Sequence, residues 1–186
     1  TPKIILYEEP KKYWWPESWH KMDRLESYGS PITRLAITSN SINKSIQNPI
    51  KRFNTLLSSQ FRSSYGYTPS IEEKLFKKKS LLFTARKVLM EVKSAPMTSL
   101  MSLANSESHN FTAEVLLRNA ANSWQPKIFS QKLFDWVSST RIPVTSFIFV
   151  DGSGLSRKNQ VTTTGIASFL WYIDQQRYSS FYKSSL

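Results

Sequence analysis

Apolar positions recur at helical spacing through most of the C-terminal half of the chain. In "SHNFTAEVLLRNAA", Ala113, Leu116, Leu117 and Ala120 fall at i, i+3, i+4 and i+7, which predicts a helix with one apolar face. Ser108 stands where an N-cap belongs, just before that face begins. Upstream, "SAPMTSLMSLAN" reads as a short helix opening near Pro96, since proline suits a first turn. Downstream, "QPKIFSQKLFDWVSS" sets Phe129, Leu133, Trp136 and Val137 on one face, and "TTTGIASFLWYIDQQ" does the same with Ile166, Phe169, Leu170 and Ile173. Between them "TSFIFV" is a continuous apolar run, expected to be a buried strand rather than an exposed edge. The predicted order from residue 94 is helix, helix, helix, strand, glycine turn, helix.

The N-terminal half is less regular. "YWWPESW" clusters three tryptophans around Pro16, a packing corner more than a binding platform. "ESYGSPITRLAITSN" alternates toward a short strand at 35–38. Phe53, Leu56, Leu57 and Phe61 predict a helix, and 58–70 reads as a surface linker. "KSLLFTARKVLMEVKS" is expected to form two strands around a turn.

Composition narrows the function classes. With 186 residues, 40% of them apolar and 13% aromatic, the chain can bury a core and suits one domain or one domain plus part of another. No apolar run of about 18 residues marks a membrane span. Absence of cysteine excludes disulfides, thiolate metal sites and a cysteine nucleophile. The net charge of +12 admits an anionic partner, but the basic residues are dispersed and the one dense run, from Lys74 through Lys77, Lys78 and Lys79, reads as a solvated face. An anionic wall or membrane surface is as natural a partner as nucleic acid.

The chemistry concentrates in "FIFVDGSGLSRKNQVTTTG", where an apolar run ends on Asp151, Gly152, Ser153 and Gly154. A dinucleotide fingerprint needs a third glycine where Arg157 stands, and a phosphate loop needs Gly-Lys-Ser/Thr. A nucleophile elbow needs Gly-x-Ser-x-Gly, and Gly152-Ser153-Gly154 is too tight. His20 and His109 lack partners at metal-ligand spacing and lack the context of a Ser-His-Asp triad. No metal and no cofactor is implied.

Two separate pieces carry a resemblance. "VDGSGLSRKNQVT" resembles the Asp-Gly-Ser-Gly-Leu-Ser-Arg signature of the D-alanyl-D-alanine carboxypeptidase/endopeptidase family, the class C low-molecular-mass penicillin-binding proteins. "SAPMTSLMSLANSESHNFTAEVLLRNAA" is similar to the region that carries that family's Ser-x-Asn motif, in the same order and at similar spacing. "YGSPITRLAITSN" is similar to a weaker Tyr-Gly-x-Pro segment of its insertion region. Ser-x-Asn occurs also at Ser41 to Asn43, but only Ser108 to Asn110 has the Asn-Phe-x-Ala-Glu-x-Leu-Leu-Arg context.

The resemblance implies a mixed α/β fold of the penicillin-binding, serine β-lactamase-like type, with residues 1–93 the tail of an insertion region and 94–186 part of the catalytic domain. It implies serine-type cleavage of peptidoglycan stem peptides through an acyl-enzyme, β-lactams as inhibitors, and a bacterial periplasm or cell envelope as the place of work. Ser108 and Asn110 take the proton-relay and substrate-holding roles of the middle motif. Asp151, Gly152, Ser153, Gly154, Ser156 and Arg157 are expected to scaffold the cleft.

The other two motifs of the family are not found. Ser-x-x-Lys at Ser18/Lys21, Ser41/Lys44 and Ser180/Lys183 lacks the expected context, and "TTTG" at 162–165 lacks the lysine of Lys-Thr-Gly. We therefore expect an interior segment of a longer enzyme, inactive by itself. A non-catalytic wall-binding or structural relative is the alternative reading. A nucleic-acid binder is a third, and it requires setting aside the Asp151 to Arg157 match; no nucleic-acid partner is expected.

Overall fold

The structure, a computed structural model, describes residues 2–77 and 90–186. It is a mixed α/β arrangement with two small sheets. β1 (Lys3–Glu8) and β2 (Ser70–Leu75) pair in parallel, Lys3 opposite Ser70 through Glu8 opposite Leu75. Parallel neighbours cannot be joined by a tight turn, and α1 (Pro49–Tyr65) lies in the connection. Asn48 caps α1, its side chain accepting from the Lys51 amide at 3.0 Å, and Pro49 fills the first helical position. Ile50 of α1 packs with Leu6 of β1 and with Trp14, joined by Phe53 and Ile71.

Two expectations for this half fail. The linker at 58–70 is instead the last turns of α1, which stops only at Gly66 in a left-handed conformation (φ 75°). Phe61 stays helical because its ring packs against Tyr65 and Tyr67. The strand at 35–38 does not form. The buried Glu8 carboxylate accepts from the main chain of Arg34 and Leu35, both at 2.9 Å, so these amides meet a side chain instead of a neighbouring strand. The chain then curls through positive φ at Thr38, Ser39 and Asn40, held by Asn40 donating to the Pro31 carbonyl at 2.7 Å. The expected pair of strands around residue 85 lies largely outside the described residues; 90–96 carries no regular structure.

The tryptophan cluster is a packing corner. Trp14 and Trp19 are buried, and Trp15 touches both hydrophobic clusters of the molecule. Each indole N–H is satisfied: Trp14 by the Glu9 carbonyl, Trp15 by the Gly29 carbonyl and Trp19 by Asp151.

The C-terminal half follows the predicted order and adds a short strand after the glycine turn and a short last helix, neither of them predicted. α2 (Met97–Asn105), α3 (Asn110–Ala120) and α4 (Pro126–Ser138) precede β3 (Phe147–Ile148), which pairs antiparallel with β4 (Gln160–Val161). α5 (Thr163–Asp174) and α6 (Ser179–Lys183) complete it. Thr162 caps α5 through the Gly165 amide, so "TTTG" is a helix start. Ser185 ties the end back to α2, accepting from Asn105 and Ser106.

The burial pattern departs from the periodicity. On α3 the buried residues are Thr112, Glu114 and Arg118, not the alanine–leucine face. On α4 Phe129 and Val137 are buried while Trp136 is exposed, and on α5 Ile173 is buried while Ile166 and Leu170 are exposed. The "TSFIFV" run begins as a 3-10 turn and pairs over only two residues, with Ile148 52% exposed, so it is not a buried strand. Asn159 explains the early end: its side-chain oxygen takes the Val150 amide at 2.7 Å, which closes the hairpin there.

Gly165 sets how closely α5 approaches this hairpin. A Cβ there would lie 2.7 Å from Ser146 Cβ and 3.1 Å from Phe147 Cζ. Gly165→Ala is expected to destabilise the chain by about 1–3 kcal/mol through overpacking, read as a lower urea midpoint at unchanged slope.

Candidate active-site cleft and its scaffold

α3 organises the region where the sequence motifs meet. Its first turn opens onto a cleft of about 340 Å³ lined by Ser27, Tyr28, Ser41, Ile42 and residues 107–111. Phe111 packs against the Trp19, Ile32 and Trp124 cluster and anchors that turn. The segment similar to Tyr-Gly-x-Pro thus lies against the Ser-x-Asn segment, although they are about 80 positions apart in the chain.

Ser108 does not cap α3. His109 is the N-cap residue and its side chain makes no capping bond, while Ser108 sits one position earlier with φ 52°. That left-handed backbone is uncommon outside glycine. It turns the chain sharply from α2 into α3 and leaves the exposed Ser108 hydroxyl without a hydrogen bond to any described residue. Asn110 donates its amide N–H to the Tyr28 carbonyl at 3.0 Å. This fixes the amide plane and leaves the side-chain oxygen available as an acceptor.

His109 Nδ1 lies 2.7 Å from Thr112 Oγ1. Burial holds its imidazole below the ordinary value of 6.5. The Tyr28 phenol is raised above its ordinary value by desolvation and by Asp23, to which it donates at 3.3 Å; Arg157 acts in the opposite sense.

One helical turn further along α3, Glu114 is completely buried and accepts the main-chain N–H groups of Gly152 and Ser153 at 2.8 and 3.0 Å. Arg118, one turn on and equally buried, donates to Glu114 at 2.5 Å. Burial pushes Arg118 below its ordinary value while Glu114 pulls it back up. The guanidinium also faces the rings of Trp124 and Phe129 at 5.4 and 5.7 Å.

Asp151 makes the second half of the knot. Its Oδ1 accepts from the Gly154 amide at 2.9 Å and from Asn159 Nδ2 at 2.6 Å. Its Oδ2 accepts from the Ser156 amide at 2.7 Å and from Trp19 Nε1 at 2.8 Å. Gly154 turns the loop at φ 78°. Gly152 lies so close to α3 that a Cβ would sit 3.0 Å from the Ala113 carbonyl and from Leu117 Cβ. Ser153 and Ser156 accept from the amides two residues on, Leu155 and Lys158.

Asp151, Gly152, Ser153, Gly154 and Ser156 are therefore gathered in one hydrogen-bonded loop on α3. Arg157 is exposed, makes no hydrogen bond to a described residue, and acts electrostatically on Tyr28. The two motifs make no direct hydrogen bond to each other among the described residues; they are joined through α3 and Tyr28.

Sequence reasoning missed Glu114, Arg118, Trp19 and Asn159. The available signal was the i, i+3, i+7 relation of Phe111, Glu114 and Arg118, which puts two charges on the face of a core phenylalanine. Of the serine–lysine pairs, Ser180/Lys183 is occupied structurally, since Lys183 pairs with Asp174. Among the described residues no cluster of His, Asp or Glu could hold a metal ion, and no helix is long and apolar enough to cross a membrane.

The family described as D-Ala-D-Ala carboxypeptidase 3 (S13) matches residues 70–186, from β2 through both motifs to the end of the chain. The chain belongs to that family. No curated protein matches it. Membership makes the α/β arrangement that of a carboxypeptidase-family domain and places the chain among peptidases that act on cell-wall peptides.

Two outcomes follow for the scaffold. Glu114→Gln leaves Arg118 as an uncompensated buried cation and is expected to cost about 3–5 kcal/mol in denaturant unfolding. The depressed His109 value favours its neutral form in the folded chain, so its contribution to stability is full above pH 6.5 and is lost as pH falls through the lowered value. Melting temperature followed from pH 7.5 down to about 4.5 should decline more steeply for the parent chain than for His109→Gln.

Proposed function

We propose that the chain is the middle portion of a serine-type D-Ala-D-Ala carboxypeptidase/endopeptidase that cleaves peptidoglycan stem peptides through an acyl-enzyme. The observation that carries this reading is the single packed unit formed by α3, in which Ser108 and Asn110 open onto a cleft and the Asp151 to Arg157 loop is fastened behind them. The family match spans that whole unit.

In this reading the Ser108 hydroxyl relays a proton toward the leaving amine. The Asn110 side-chain oxygen, oriented by the Tyr28 carbonyl, accepts an N–H of the substrate backbone. The 151–157 loop keeps α3 at a fixed depth, so Asp151, Gly152, Ser153, Gly154 and Ser156 act as scaffold, with Arg157 at the cleft side. The nucleophilic Ser-x-x-Lys and the Lys-Thr-Gly strand belong to parts of the enzyme outside residues 1–186. The division near residue 93 separates insertion-region tail from catalytic domain. β-Lactams are inhibitors, the working place is the periplasm or cell envelope, and the net charge of +12 suits an anionic wall or membrane surface.

The experiment is labelled-penicillin trapping of the product of the complete reading frame. A covalent label is expected, reduced by about 10²–10³-fold in rate in Ser108→Ala and in Asn110→Ala, the range seen when one preorganised polar group is removed from an acyl-transfer site. Absence of any label from a folded product, together with sedimentation on peptidoglycan, would establish the non-catalytic wall-binding alternative.

A further inference from the structure

A second concavity lies away from the cleft. It is a groove of about 770 Å³ between α4 and the β3 hairpin, sharing no lining residue with the Ser108 cleft. Phe134 of α4 and Ile148 of β3 are exposed there, and the rings of Phe147 and Phe149 stack at 5.0 Å along the same wall. Lys127 and Lys158 stand at its margin, both exposed and neither in an ion pair with a described residue; Glu17 is the acid of the lining. The Ser18 hydroxyl, also in the wall, is buried with no hydrogen-bond partner.

The strand in this groove has a free edge. The Thr162 amide donates to the Ser146 carbonyl, so the Ser146 and Thr162 positions form a hydrogen-bonded pair. With Phe147 opposite Val161 and Ile148 opposite Gln160, alternation turns the N–H and C=O of Ile148 toward β4; the Phe147 N–H closes onto the Val144 carbonyl, which leaves the Phe147 C=O and the N–H and C=O of Phe149 on the open side. Such an edge accepts an added strand, main-chain hydrogen bonds supplying affinity and alternate side chains supplying selectivity.

We propose that this groove binds an extended acidic–apolar peptide segment of a partner protein as a third strand on β3. Its apolar side chains lie on Phe134, Phe147 and Phe149, and its carboxylates meet Lys127 and Lys158. The unpartnered lysines and the exposed phenyl surface select that chemistry over a basic or wholly apolar strand. The site is independent of the catalytic reading.

The probe is a fluorescein-labelled acetyl-Val-Glu-Val-Glu-Val-amide, titrated by anisotropy. Saturable binding with a dissociation constant below about 1 mM is expected. The double variant Lys127→Glu, Lys158→Glu, checked for an unchanged melting temperature, should weaken binding at least about tenfold and instead favour the Val-Lys counterpart peptide. A peptide N-methylated at alternate residues should fail to bind, while Ser108→Ala and Asn110→Ala should bind the parent peptide normally. Any of four results would overturn the proposal: no saturation, equal affinity for the methylated peptide, indifference to charge reversal, or self-association of the chain that the peptide competes away. The last would make a second copy the occupant of the edge.

Discussion

The Glu114 carboxylate is the interaction on which the rest of the C-terminal unit depends. It is fully buried, and it joins α3 and the Arg118 guanidinium one turn along it to the amides of Gly152 and Ser153, 38 and 39 positions away in the chain. A buried carboxylate is tolerable only when its lone pairs are filled and a cation lies beside it. Here one oxygen serves the loop and the other serves Arg118, so neither the turn nor the arginine can leave without stranding the other.

Asp151 extends the same device outward. Two loop amides, an asparagine amide and the Trp19 indole converge on one side chain, which links the glycine turn to the tryptophan corner 132 positions earlier. The corner is in turn connected through Trp15 to the cluster under β1 and α1. Two carboxylates thereby set the depth and tilt of α3. Asn110 stands in the first turn of the helix and Ser108 in the left-handed turn just before it, where Phe111 fixes the rotation and the Tyr28 carbonyl fixes the Asn110 amide. The proposed role of this cleft in holding a peptide requires this kind of rigid support behind it.

Much of the architecture was legible in the residues. Helices α2 to α5 and their order follow from periodicity and from Pro96, Pro126 and Thr162 at their starts, while the short α6 was not predicted. The Ser-x-Asn and Asp-Gly-Ser-Gly-Leu-Ser-Arg motifs pointed to the family that the match over 70–186 shows. What misled was the assumption that apolar residues mark the buried face. On α3 hydrogen-bonding demand overrode hydrophobicity: the loop amides required an acceptor, and Glu114 and Arg118 took the interior while Leu116 and Leu117 stayed at intermediate depth. At Leu35 the same competition replaced a strand with the Glu8 carboxylate, and at Val150 the Asn159 side chain ended one after two residues.

The sequence by itself determined local matters: which stretches become most of the helices, that the chain turns on glycine at Gly154, and the resemblance to the family that matches residues 70–186. These depend on neighbours within a few positions, where spacing and backbone sterics are sufficient. Only the tertiary structure decided that Ser108 is a left-handed turn residue and not a cap, that Tyr28 holds Asn110, and that two buried carboxylates fasten the glycine loop. Each of those involves partners tens of positions apart or a choice among competing acceptors. Which hydrogen bond satisfies a buried amide is settled by what folding brings within about 3 Å of it, and no local pattern carries that information.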